Sequence, residues 1–243
     1  MPDINIEMLY PRFVFHKQYA DADLSPNFNE RLKKVAIEDA VANRVPAGGH
    51  ERAIGTKATH LAHLRHNFLM DATDPVVGEF AQMVDTSIRE YLSAVYHYDH
   101  EGDIEMMSDT FWQSRERGEN VGINCHTHFR ADLVVTYYVE NGLDPQEDNP
   151  LRKGAVRFYD PQNLGVRTWP NNNPGVFTNG WFHLVPKVGS LVIFEGHMPH
   201  DSTYFGGAER LCIPVMCDVK TGRSHDKSTL AQILQNKGGS NDD

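Results

Sequence analysis

Cysteine is scarce in this chain. Cys125, Cys212 and Cys217 form no CxxC pair and leave an odd one over, which argues against a disulfide framework and for a reducing, cytoplasmic setting. Basic residues are outnumbered: 23 Lys+Arg stand against 33 Asp+Glu, a formal charge of −10. No stripe of Lys and Arg offsets this locally, so binding to a nucleic-acid backbone is not expected. A small-molecule or protein substrate fits the balance better. Long apolar runs are missing too. No stretch reaches the ~18–20 residues a membrane helix needs, and the start, MPDINIEMLYPRF, lacks the basic-then-apolar pattern of a secretory leader. Neither a membrane anchor nor a signal peptide is expected, and no feature speaks to oligomeric state.

What is present suits a globular protein. Hydrophobic residues make up 40% of 243, enough for one sizeable core without disulfides. We read residues 1–220 as a single domain and 221–243 as a polar tail, with one short helix at 228–235 and a disordered GGSNDD end. Residues 4–16 read as one or two strands. Ser25-Pro26 looks like an N-cap followed by proline at the first helical position, opening a helix over 26–41. Asp74-Pro75 marks a second helix over 75–95, where Val76, Val77, Phe80, Met83, Val84, Ile88, Leu92 and Val95 recur at helical spacing.

From about residue 108 the pattern changes. Short alternating runs separated by Gly, Pro and Asn lie at 109–114, 121–128, 132–140, 154–160, 176–184, 190–195, 200–205 and 210–219. Closely spaced short strands predict a mainly β sandwich or barrel rather than β-α-β units. Eight of them, over 108–219, would make a jelly roll with the two N-terminal helices as a supporting layer on one sheet.

Two segments carry the chemistry. His126 and His128 lie in NCHTHFRADL, where residues two apart on a strand share a face. A lone HxH pair is as readily a pair of surface histidines. The second segment, GSLVIFEGHMPHDSTYFGGAERLCIPVMCDV over 189–219, parses as strand, turn, strand, Gly-Gly turn, strand. His200 starts the middle strand and Arg210 the last, and we expect them to face each other across this hairpin. An arginine inside an apolar barrel must find an anion, and its forked donors suit a carboxylate. The plain alternative pairs Arg210 with an internal Asp or Glu, such as Glu209 or Glu195. Among the other histidines, His60, His63 and His66 have HxxH spacing without a third ligand. His97 and His100 sit in a polar loop, and His197 lies in the turn before His200. Cys125 is expected to face away from the ligands and to be buried.

These segments resemble the 2-oxoglutarate- and Fe(II)-dependent oxygenases, built on a double-stranded β-helix (jelly-roll) core. They look nearest to a branch from marine bacteria and phages with an HxH…H…R motif. The matching residues are Trp112, Gly118, Asn124, His126, His128, Tyr137, Tyr138 and Val139, then Gly189, Leu191, Phe194, His200, Gly207, Glu209 and Arg210, with GAVRFYDP at 154–161 between them.

The resemblance implies that His126, His128 and His200 bind Fe(II) and that Arg210 holds the distal carboxylate of 2-oxoglutarate, assisted by the Tyr138 hydroxyl. With O2, such a site would act as a dioxygenase, hydroxylation being the default outcome and demethylation or desaturation using the same residues. Two departures stand out. His128 occupies a place where the wider superfamily has a carboxylate, so either His128 or Asp132, six residues past His126, completes the triad. Cys212 replaces a serine often found two residues after the arginine. Two rival readings share the histidines: a three-histidine, cupin-like dioxygenase without 2-oxoglutarate, and a non-catalytic jelly-roll binding protein. Neither accounts for Arg210. Substrate choice is assigned to loops 141–153 and 161–180.

Overall fold

The structure is a computed structural model that describes residues 3–9, 12–42, 67–114, 122–128, 130–144, 146, 154–159, 181–219 and 228–238. Its strands are β1 (Asp3–Leu9), β2 (Arg12–Gln18), β3 (Glu105–Ser108), β4 (Phe111–Ser114), β5 (Ile123–His126), β6 (Leu133–Asn141), β7 (Val156–Tyr159), β8 (Trp181–Leu184), β9 (Ser190–Glu195), β10 (His200–Ser202), β11 (Glu209–Asp218) and β12 (Ser228–Thr229). The α-helices are α1 (Phe28–Ala42), α2 (Phe68–Asp71), α3 (Pro75–Tyr96) and α4 (Leu230–Gly238).

The strands form two antiparallel sheets. The larger runs β1-β2-β9-β6-β11-β3-β12, with β4 also paired to β11, and the smaller runs β5-β10-β7-β8. This is the expected mainly β jelly roll, with helices on one sheet. Among the described residues no helix is long and apolar enough to cross a membrane.

Alternation along the central strands divides the core in two. Leu133, Val135, Tyr137 and Val139 of β6, Leu191 and Ile193 of β9, and Leu211, Ile213, Val215 and Cys217 of β11 join one cluster with Phe28 and Leu32 of α1 and Val76, Phe80, Val84 and Ile88 of α3. The intervening residues Val134 and Tyr138, Val192 and Phe194, and Cys212 join a second cluster with Val156 and Phe158 of the small sheet. A sheet buried on both faces needs apolar residues at consecutive positions, which is why β6 reads LVVTYYV. Lys33 of α1 ties the helical layer down through ion pairs of 2.9 Å to both Glu140 and Glu209.

Helix α3 starts where its sequence signals it. Asp74 accepts from the Val76 amide at 2.8 Å, and His97 ends the helix in the left-handed region at φ 52. The first helix is a correction. Ser25 does not cap it, because its amide and hydroxyl both donate to Glu79 of α3, at 3.0 and 2.6 Å. A turn with Asn27 at φ 57 follows, and the helix begins at Phe28. A second correction concerns pairing. β10 pairs with β5 and β7, whereas β11 pairs with β3, β4 and β6. His200 and Arg210 therefore sit on opposing sheets, not across a hairpin, since the Gly-Gly segment carries the chain from one sheet to the other.

The turn before β9 requires glycine. Gly189 has φ +81, and a Cβ there would lie 2.7 Å from the Tyr19 carbonyl oxygen. Its amide donates to Tyr138 O at 2.9 Å, and its carbonyl accepts from Tyr19 N at 3.0 Å. Gly189→Ala is expected to cost about 1–3 kcal/mol, seen as a fall of several degrees in Tm. An unchanged Tm would mean the turn tolerates a side chain.

Candidate metal centre

His126 closes β5 and His200 opens β10, and the two are direct register partners. Three residues of β10 (His200 to Ser202) lie against four of β5 (Ile123 to His126). This bulge lets Ile123 join the interior cluster although His126, three positions on, also turns toward the site. Bulges re-aim side chains in this way. The expectation for Cys125 is corrected as well: on β5, the edge strand of the small sheet, it is exposed rather than buried.

His128 lies beyond β5. Its amide donates to Gly196 O at 2.7 Å, its carbonyl accepts from Ala131 N at 2.9 Å, and Gly196 N donates to Asp132 O at 3.0 Å. The tight 128–131 turn thus packs on the turn after β9, where a Cβ on Gly196 would collide with the carbonyl oxygens of Ala131 and His128.

The three imidazoles converge. Ring centroids are 5.0 Å apart for His126–His128, 4.3 Å for His126–His200 and 5.2 Å for His128–His200, and one nitrogen from each lies within 4.8 Å of the others. Small side-chain rotations would let one cation touch all three. The Nδ1 of His126 meets Asn124 O at 2.7 Å, and the Nδ1 of His200 meets Met198 O at 2.9 Å. A carbonyl only accepts, so Nδ1 carries the hydrogen and Nε2 keeps its lone pair for a metal. Phe194 packs edge-on to His200 at 4.6 Å, and Phe158 lies 6.2 Å away. His200 is buried, while His126 and His128 are half-buried, leaving one side of the group open to solvent.

Arg210 occupies the opposing sheet, among the second cluster's residues. It is 1% exposed, and its Nε and Nη1 have no hydrogen-bond partner among the described residues. Its Cζ lies 5.8 Å from the Tyr138 ring centroid. Burial pushes the Tyr138 hydroxyl and the Cys212 thiol up, and the guanidinium beside them opposes both shifts. The two glutamates named for the plain alternative are engaged elsewhere. Glu209 pairs with Lys33 at 2.9 Å. Glu195 accepts from Arg12 at 2.6 Å and Tyr96 at 2.6 Å.

Asp132, the alternative third ligand, turns away to accept from the Val219 amide at 3.0 Å and is not among the converging donors. His197 pairs with Glu195 at 3.2 Å, with 53% of its side chain exposed. His97 and His100 lie in the loop after α3. His60, His63, His66 and loop 161–180 lie outside the described residues, as does most of 141–153.

Sequence reasoning missed one supporting group. Asp201 accepts from Arg157 at 2.7 and 2.6 Å and from Tyr159 at 2.6 Å, locking β10 to β7 beside His200. The signal was Arg157 and Tyr159 at i, i+2 on one strand, facing the residue next to a candidate ligand.

No family model matches the chain, and no curated protein matches it. Solved structures do. A Pseudomonas putida prolyl-4-hydroxylase is 14% identical, with 83% of this chain and 91% of that one covered at a TM-score of 0.51. SnoK, a non-heme alpha ketoglutarate dependent carbocyclase from nogalamycin biosynthesis, is 9% identical, with 84% and 78% covered at a TM-score of 0.50. The likeness is one of fold, and it spans most of each chain.

Burial, and then the charge of nearby His126, push the pKa of His200 from 6.5 down to about 3, against the bond to Met198 O. His16 is lowered in the same direction by burial and Lys187. On acidification the unfolded chain takes up these protons near pH 6.5, whereas folded His200 does not until near its lowered pKa. Without metal, stability should therefore fall as pH drops below 6.5, with His200 contributing up to about 1.4 kcal/mol per pH unit. Urea midpoints between pH 7 and 5 measure this slope, which His200→Gln should reduce. An equal slope in the variant would show that His200 is not held neutral.

Proposed function

We propose that this chain is a non-haem oxygenase dependent on Fe(II) and 2-oxoglutarate. His126, His128 and His200 would hold the iron, and Arg210 with Tyr138 would hold the distal carboxylate of 2-oxoglutarate. The observation that carries this reading is the buried guanidinium of Arg210, with two donor atoms lacking partners among the described residues, on the sheet facing three convergent imidazoles. An unpaired charge in an apolar interior is strongly unfavourable, and a bidentate carboxylate is the ligand that removes the penalty. The three-histidine dioxygenase without a cosubstrate and the non-catalytic binding protein, its metal structural or absent, both leave Arg210 without an anion among the described residues.

The donor set fits. Three nitrogens, two with their tautomers fixed by backbone carbonyls, suit a divalent first-row metal, and Arg210 lies beside Tyr138 and Cys212. When bound, iron with 2-oxoglutarate and O2 supplies the oxidation of a C–H bond, releasing succinate and carbon dioxide. The protein's share is placement and shielding. Arg210 and Tyr138 orient the acid by its far end. Phe158 and Phe194 brace His200 and exclude water, and the Asp201–Arg157–Tyr159 cluster keeps β10 rigid. No general base is required of the chain. Substrate selection is assigned to loops 141–153 and 161–180, and the substrate is a small molecule or a protein segment.

Anaerobic addition of Fe(II) and 2-oxoglutarate should produce a weak visible charge-transfer band. His200→Ala should abolish it, and Arg210→Ala should raise the 2-oxoglutarate concentration needed by at least about tenfold, for loss of a charge-assisted pair. A band of unchanged 2-oxoglutarate dependence in Arg210→Ala would sink the assignment.

A further inference from the structure

We propose that two copies of this chain pair through β1, the outermost strand of the large sheet, in one antiparallel register centred on Ile6. The inference goes beyond the oxygenase reading and does not depend on it.

The sheet edges are not alike. Among the described residues the large sheet ends in β1 on one side and β12 on the other, β4 pairs only with β11, and the small sheet ends in β5 and β8. Three of these, β4, β5 and β8, have four residues each, and β5 is bulged against β10. Strand β12 has two residues and leads straight into α4. Shortness, bulges, lysine and proline are the usual defences of a strand edge against a second chain. β1 has none of them. It matches β2 in seven consecutive pairs without a register shift, and its sequence, DINIEML, holds no Lys and no Pro. Its outer side thus carries a row of backbone donors and acceptors suited to another strand.

The sequence of β1 selects a second copy of itself. In a twofold antiparallel pair, opposed residues lie on the same face of the sheet. Centred on Ile6, the pairing sets Ile6 against Ile6, Ile4 against Met8, Asn5 against Glu7 and Asp3 against Leu9. No like charges are opposed. A shift to centre on Asn5 sets Asp3 against Glu7, and a shift to centre on Glu7 sets the two glutamates against each other. Registers displaced by one residue oppose Ile4 to Glu7 or Ile6 to Glu7, mixing the polar and apolar rows. The Ile6-centred pairing also extends a row that exists already, since Ile6 and Met8 are the register partners of Phe15 and Phe13 on β2. What repulsion remains is diagonal, from Glu7 to Glu7 and to Asp3, at roughly 7–8 Å, about a Debye length at physiological salt. Each copy also carries a formal charge of −10. The pairing is therefore weak, and salt strengthens it.

Sedimentation of the full chain tests this. It should show monomer at about 1 µM and a rising share of dimer toward about 300 µM, because one strand pair is a small interface. Salt raised from about 0.05 to 0.5 M should tighten the dimer, and Glu7→Gln should tighten it at least about threefold at the lower salt. Monomer throughout that range, at both salt levels, overturns the inference. Diamide cross-linking in a Cys125→Ser background, which removes the exposed native thiol, reads the register. Ile6→Cys should link to its own copy, since opposed Cβ atoms lie about 4.5–5.5 Å apart. Asp3→Cys should not, because its two copies lie about 20 Å apart in this register, yet it should link when mixed with Leu9→Cys. A dimer in which Asp3→Cys links to itself as readily as to Leu9→Cys, or in which no pair links, overturns the inference as well. Should Ile6→Cys fail to fold, the two strand-end variants still decide.

Discussion

A guanidinium buried in a β sandwich, with no ion pair among the described residues, is the constraint around which this molecule is arranged. Arg210 is the largest of the fully buried side chains. Nothing in an apolar core tolerates such a group unless the functional state supplies its partner. The side chains around it prepare that state without neutralising it. The Tyr138 hydroxyl and Cys212 thiol are polar but uncharged, both held protonated by burial. The carboxylates that might have quenched the charge are engaged at the edges, Glu209 by Lys33 and Glu195 by Arg12. The fold thus keeps one positive charge in reserve on the large sheet and a set of metal donors on the small one.

The two halves of the site are positioned by different devices. Arg210 is fixed by register: it sits near the start of β11, between Gln113 of β4 and Asn141 of β6. The imidazoles are fixed by irregularity. A bulge turns His126 inward, a turn clamped onto Gly196 presents His128, and the short β10, pinned by Asp201 to β7, presents His200. Irregular backbone on a rigid sheet can bring together side chains that regular strands would spread apart.

Much of this was legible in the sequence. The periodicity of α3, its Asp74-Pro75 start and a strand within each of the eight core runs follow the pattern, because hydrophobic spacing and cap chemistry are local, and His126, His128 and His200 lie together. What was not legible depends on partners distant in sequence. Ser25 looked like a helix cap until Glu79 claimed its hydroxyl. Cys125 looked buried because alternation does not reveal that β5 is an edge strand. His200 and Arg210 looked like hairpin partners because a short Gly-Gly connection says nothing about which sheet the next strand joins. The Asp201 cluster joins residues 42 and 44 positions apart, and no single segment announces it.

The reserve charge itself offers the sharpest test. Replacing Arg210 with methionine, similar in length and apolar, removes a buried charge rather than a stabilising pair. In denaturant unfolding without metal or cosubstrate, Arg210→Met should be at least as stable as the native protein. It should also gain nothing from 2-oxoglutarate in the presence of metal, whereas the native protein gains stability through binding. If Arg210→Met instead unfolds far more easily while keeping the full stabilisation by 2-oxoglutarate, the guanidinium is a structural strut and the account is wrong.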